Sequence, residues 1–157
     1  MTAFIDTPKL IVRVLSKEPM YAYDNADMLI ASGGTAGYCA IASLPGSKYD
    51  LSYIQAWLNH PYTEKYLQMM GSDFENGFTA RGTFSLKTVP FVDLDFNDPY
   101  QKRIYDDVVR FSHRIYEINY ASRTNGFSSE LENEKLALEG KIVDAITNAY
   151  SLVVGVK

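Results

Sequence analysis

Hydrophobic and polar positions follow two different periods along this chain. In the front part they come in short β-branched or alternating runs broken by turn formers. Toward the C-terminus they recur every three or four residues, the spacing of a helix that buries one face. The first run, Lys9-Leu10-Ile11-Val12-Arg13-Val14-Leu15, predicts a strand in which Lys9, Ile11 and Arg13 share one parity. Residues 20–24 and 28–31 are two more short candidates, separated by the turn former Asp24-Asn25, and residues 38–42 are a fourth. Residues 33–37, with three glycines, predict a loop, and Pro45-Gly46-Ser47 closes the stretch.

The period then lengthens. Asp50 is placed to cap a helix whose apolar face is Leu51, Ile54, Leu58 and Trp57. Pro61 breaks or restarts it, and residues 62–70 read as a second short helix. Residues 71–82 are loop-like, and Thr83-Phe84-Ser85-Leu86-Lys87-Thr88-Val89 alternates as a strand would before Pro90. Asp98-Pro99 pairs an N-cap with proline at the first helical position. Behind it Ile104, Val108, Phe111, Ile115 and Ile118 recur at helical spacing, as do Leu131, Leu138, Ile142 and Ile146 with Ala145 and Ala149 beside them. Gly126 separates the two runs, which predicts an antiparallel helical hairpin. The expected fold class is α+β: a small mixed sheet with short helices over residues 1–91, then a C-terminal helical part over 92–157 packed on it.

Composition narrows the classes. At 157 residues, 46% hydrophobic and 22% charged, the chain is of ordinary globular type. One cysteine, Cys39, excludes an intramolecular disulfide, and with only His60 and His113 a Cys/His zinc cage is excluded too. No apolar run is long enough for a membrane span, and Met1-Thr2-Ala3-Phe4-Ile5-Asp6 lacks the pattern of a signal peptide, so a cytoplasmic protein without a membrane partner is expected. Fifteen basic against nineteen acidic residues gives −4, divided as −1 over residues 1–91 (seven against eight) and −3 over 92–157 (eight against eleven). Such a balance opposes nucleic-acid binding unless a local patch is hidden in the total. Tyrosine, present twelve times, suits half-exposed sheets and interfaces.

Catalytic motifs are not legible. Cys39 stands among Tyr38, Ala40 and Ile41, the setting of a buried strand thiol. Gly-x-Ser-x-Gly is absent, and residues 33–37 lack the Lys-Ser/Thr ending of a phosphate loop. Asp93-Leu94-Asp95 could face a metal, but no third acidic or lysine partner stands at a nuclease-like spacing. Asn97-Asp98-Pro99-Tyr100 is close to the Asn/Asp-Pro-Pro-Tyr of amino-group DNA methyltransferases but lacks the second proline and opens a helix, so it reads as a cap. A binding or recognition module is expected, with no cofactor held by this chain.

The order of the pieces carries a resemblance. Thr7-Pro8-Lys9-Leu10-Ile11-Val12-Arg13 resembles the strand that opens the target-recognition domain of TaqI-like adenine-specific DNA methyltransferases and type IIG restriction enzymes. Tyr38-Cys39-Ala40-Ile41 stands behind it, and Tyr49-Asp50-Leu51-Ser52-Tyr53-Ile54-Gln55-Ala56-Trp57-Leu58-Asn59 is similar to a helix of that domain. A glycine-rich segment over 71–81 and a strand ending in Val89-Pro90-Phe91 follow in the family's order. The stretch 138–152, with Ile142-Val143-Asp144 and Tyr150-Ser151-Leu152, looks like its closing helix. The resemblance implies sequence-specific reading of double-stranded DNA beside a methyltransferase catalytic domain of the same polypeptide. That domain would bind S-adenosylmethionine, and this chain would be a non-catalytic fragment of the longer enzyme.

Groove and phosphate contacts call for Lys, Arg, Asn, Thr and hydroxyl groups on loops that can approach a duplex. The expected DNA-binding residues are therefore Thr35 and Tyr38 on one loop, and Asn76, Thr79, Arg81, Thr83 and Lys87 on the other. Lys9 and Arg13 lie on one strand face. Arg81, within Thr79-Ala80-Arg81-Gly82-Thr83, is expected to bring a planar fork close to a groove. Two other readings stay open: an acidic protein-interaction domain built on the helical hairpin, and a small hydrolase around Asp93 and Asp95.

Overall fold

A computed structural model of the chain describes residues 6–25, 37–70 and 77–154. It divides into two compact units, residues 1–91 and 92–157.

The first unit starts from β1 (Lys9–Arg13), β2 (Leu15–Ser16), β3 (Tyr21–Asp24) and β4 (Tyr38–Ile41). The β-branched centre of β1 takes the middle place of an antiparallel sheet ordered β3-β1-β4. Leu10 stands opposite Tyr23 and Ile41, and Val12 opposite Tyr21 and Cys39, so these six share one face. Leu10 and Val12 are fully buried. The other parity sets Ile11 against Ala22 and Ala40, and Arg13 against Tyr38. The expected strand over 28–31 and all but the last residue of the 33–37 loop lie outside the described residues.

Next come α1 (Leu51–Leu58) and α2 (Pro61–Met70). Asp50 caps α1 as expected, its Oδ1 accepting the Ser52 N–H at 2.8 Å. Leu51, Tyr53, Trp57 and Leu58 are the buried apolar side chains of α1, while Ile54 is half-buried. Gln55 Nε2 donates to the Tyr21 carbonyl at 2.6 Å and ties α1 to β3. His60 turns the chain: its carbonyl accepts the Glu64 N–H at 3.2 Å and its Nδ1 accepts the Tyr62 N–H at 3.1 Å. Thr63 Oγ1 donates to the Trp57 carbonyl at 2.8 Å and closes the α1–α2 corner. Phe91 stands edge-on to Trp57, with ring centroids 5.0 Å apart.

The end of this unit differs from expectation. β5 (Thr79–Ala80) pairs antiparallel with β2 inside the stretch read as loop. Residues 83–86, expected as part of a strand, form the short helix α3 (Thr83–Leu86). The N–H groups of Leu86 and Lys87 return to the carbonyls of Gly82 and Thr83, at 3.0 and 3.2 Å. Apolar residues at 84 and 86 imitate a period of two, and so short a window cannot separate that from one turn of helix.

The second unit is the hairpin of α4 (Pro99–Asn125) and α5 (Ser129–Val154). Asp98 caps α4 through Oδ1, which accepts the Tyr100 N–H at 2.8 Å, and Gly126 ends it at φ 88°. The helices run antiparallel: Arg114 holds both carboxylate oxygens of Glu134 with its Nε and Nη2 at 2.7 and 3.0 Å, and the Lys141 ammonium lies over the Phe111 ring. Ile104, Val108 and Ile118 are buried on α4, and Leu138, Ile142, Ile146 and Ala149 on α5. No described helix is long and apolar enough to cross a membrane.

Candidate nucleic-acid interface

Of the nine expected contact residues, three are turned inward. Arg81 is 0% exposed. Its Nη1 donates to the Ser16 carbonyl at 2.7 Å, to Ser16 Oγ at 2.9 Å and to the Thr79 carbonyl at 3.1 Å, while Nη2 pairs with the Glu64 carboxylate. The planar fork thus joins β2, β5 and α2 from inside instead of facing a groove. Lys9, 1% exposed, pairs its ammonium with Asp24 Oδ2 at 2.7 Å across the β1–β3 register. Thr79 is buried as well. All three expectations of surface contact are corrected by the same physics: a buried charge or hydroxyl must be satisfied from within, and here each position is enclosed by the fold. Thr35 and Asn76 lie outside the described residues.

The other four are on the surface, and the fold gathers three of them tightly. Val14, following β1, is the junction. Its N–H donates to the Gly37 carbonyl at 3.1 Å and its carbonyl accepts the Arg81 N–H at 2.6 Å. Gly82 lies against it, so that a Cβ there would stand 3.4 Å from Val14 Cγ1. The end of β1, the start of β4 and the start of α3 are thereby held side by side. Arg13 is exposed and directly opposite Tyr38, which is 39% exposed. Thr83 is exposed and stands near Cys39, whose thiol donates to the carbonyl of Arg81 two residues before it at 3.9 Å. Lys87 is exposed one turn further along α3.

Two residues the sequence reading did not single out, Phe84 and Thr88, complete this face. Thr83, Phe84 and Lys87, the C-cap of α3, are exposed and at 100° per residue share one arc, and Thr88 in the turn after it is exposed as well. Reading 83–89 as a strand hid that arc, because it places Phe84 and Thr83 on opposite sides. Glu64 and Ser16, which hold Arg81, carried no local signal; they stand 17 and 65 residues from it in the chain.

On the first unit, burial takes charges inward in pairs. Its seven cations include Lys9 and Arg81, both inside; Arg13, Lys17, Lys48, Lys65 and Lys87 are exposed. Among the described carboxylates of this unit, only Asp6 and Glu18 are exposed. Asp24 and Glu64 face the two buried cations, and Asp50 caps α1. Asp27, Asp73 and Glu75 lie outside the described residues. Each buried pair withdraws one cation and one carboxylate together, so burial leaves the formal balance of this unit unchanged.

Other candidate chemistry has structural uses. Burial pushes the Cys39 thiol pKa up, against the lowering effect of the Thr83 hydrogen bond, which disfavours a thiolate nucleophile. Asp95 Oδ1 accepts the Asn97 N–H at 2.9 Å and Asn97 Nδ2 at 3.0 Å, an Asx turn leading into α4. Among the described residues no group of three or more His, Cys, Asp or Glu side chains is placed to hold a metal ion.

Over 138 residues the chain is 35% identical to the type II restriction enzyme and methyltransferase RM.Eco57I of Escherichia coli. This chain is homologous to part of a restriction-modification enzyme. The match covers 83% of this chain and 14% of the Escherichia coli protein, so the chain corresponds to a small part of that enzyme's length. No protein-family model matches the chain.

Proposed function

We propose that this chain is the DNA target-recognition part of a type II restriction-modification enzyme acting on adenine. In this reading it holds duplex DNA in register for a catalytic domain of the same polypeptide, which flips and methylates the base. S-adenosylmethionine belongs to that catalytic domain, and this chain contributes no reacting group. The observation that carries the reading is the 35% identity to a segment amounting to 14% of a restriction enzyme and methyltransferase. Support comes from the surface where Arg13, Tyr38, Thr83 and Lys87 converge, since guanidinium, ammonium and hydroxyl donors suit phosphate oxygens and base edges.

Selection from a pool of random duplexes tests it. The chain should enrich one short motif and bind that duplex more tightly than a scrambled one, with affinity falling as salt rises. Failure to enrich any sequence at low salt would overturn the recognition role.

A further inference from the structure

Phe84 has no evident use within the fold. It is 87% exposed, the highest value among the described large apolar side chains, although the hydrophobic effect favours covering such a ring. The backbone around it is well held: α3 is closed by its own hydrogen bonds, and Gly82 and Arg81 fix its start against Val14. The ring therefore projects from a supported turn. Its neighbours on the exposed arc are Thr83 and Lys87, with Thr88 in the turn after it and Arg13 and Tyr38 at the adjoining strand ends.

That arrangement selects an occupant. The surrounding hydroxyls, ammonium and guanidinium suit anionic oxygens, which argues against a purely apolar partner and for one combining regular negative charge with flat apolar surface. A nucleic-acid duplex has that combination. Phosphates can be met by Lys87, Arg13 and Thr83, whereas the Thr88 hydroxyl is spent on the Ser85 carbonyl at 2.7 Å and a phenyl ring gains nothing from a phosphate. Its counterpart in a duplex is a base, met either as a thymine methyl group in the groove or as a stacking surface at an opened step.

We infer that Phe84 is the apolar base contact of the recognition surface, set among phosphate-binding neighbours on α3. This rests on the proposed recognition of DNA and names the residue that meets the bases. Phe84→Ala and Phe84→Trp in the otherwise unchanged chain provide the test, because an exposed position permits both without disturbing the fold. The probe is a fluorescein-labelled duplex of the selected sequence, used also with uracil in place of each thymine and with 2-aminopurine at each purine in turn. Phe84→Ala should keep the melting temperature, weaken binding at least tenfold and leave the salt slope unchanged. Phe84→Trp should restore most of the affinity. A loss on one uracil substitution identifies the methyl contact, and a 2-aminopurine intensity change lost with Phe84→Ala identifies stacking. Equal binding by wild type and Phe84→Ala overturns the inference while leaving DNA recognition standing. So does a Phe84-dependent dimer in sedimentation with unaltered DNA binding. A wild-type chain that binds no duplex removes both.

Discussion

Arg81 and Glu64 form an ion pair inside the first unit, joining the segment after β5 to the first turn of α2. The same guanidinium also holds both residues of the β2–β5 pair that are nearest to it, Ser16 and Thr79. Two strands of two residues each could not persist on their own backbone bonds. Removing one member of a buried pair leaves the other charge uncompensated, at a cost on the order of 3–5 kcal/mol. Arg81→Ala should therefore lower the melting temperature sharply, and any loss of DNA affinity should follow the fraction unfolded. The double variant Arg81→Met with Glu64→Leu should recover part of the loss in a thermodynamic cycle. An unaltered melting temperature for Arg81→Ala would contradict this role.

Next to this pair lies a titration marker. Burial raises the Tyr21 pKa to about 12, partly opposed by the Arg81 charge, and its hydroxyl has no hydrogen-bond partner among the described residues. The folded pKa stands above the ordinary value of 10.0, so folding holds the proton more tightly than the unfolded chain does. This contribution is complete below pH 10 and is lost as the pH rises toward 12. Denaturation followed by circular dichroism should show stability falling through that window, and Tyr21→Phe should flatten the fall. At neutral pH Tyr21→Phe should be neutral or stabilising, since it removes an unpartnered buried hydroxyl.

Ile146 is fully buried on α5. Truncating it to alanine should cost ~2–5 kcal/mol by removing buried methyl groups and leaving a cavity. Ile146→Asp and Ile142→Asp should be worse, because a carboxylate would be placed where the neighbours are apolar. Val143, a neighbour in sequence but 37% exposed, serves as the comparison: Val143→Ala should stay within about 1 kcal/mol of wild type. Urea denaturation checks the order.

Arg13 and Lys87 should behave as phosphate ligands. Each substitution by alanine should weaken binding on matched and scrambled duplexes alike and reduce the slope of log K against log salt by about 0.9. Lys9→Ala, by contrast, should destabilise the fold, because Lys9 is buried against Asp24. Anisotropy titrations across a salt series separate the two behaviours. Equal slopes for wild type and both surface variants would remove these residues from the interface.

Legibility in the sequence followed the length over which a physical pattern repeats. The seams of α4 and α5 were readable because apolar residues kept helical spacing across many turns. The caps at Asp50 and Asp98 were readable because capping is chemistry between near neighbours. β1 showed itself through its β-branched centre. β5 and α3 did not, since two or four residues cannot establish a period, and Thr83 to Leu86 satisfy a strand pattern and a helical turn equally.

By itself, then, the sequence determined the α+β class, the hairpin, the starts of α1 and α4, and the residue types from which a DNA-facing surface could be built. Tertiary structure alone decided which of those residues face outward. Arg13, Arg81, Lys9 and Lys87 are alike in charge, and nothing local separates them. The difference comes from distant partners: Asp24 across a strand register for Lys9, and Glu64, Ser16 and the Thr79 carbonyl for Arg81. A cation enters the interior only where such partners offset its lost hydration, and which partners converge is a property of the folded chain.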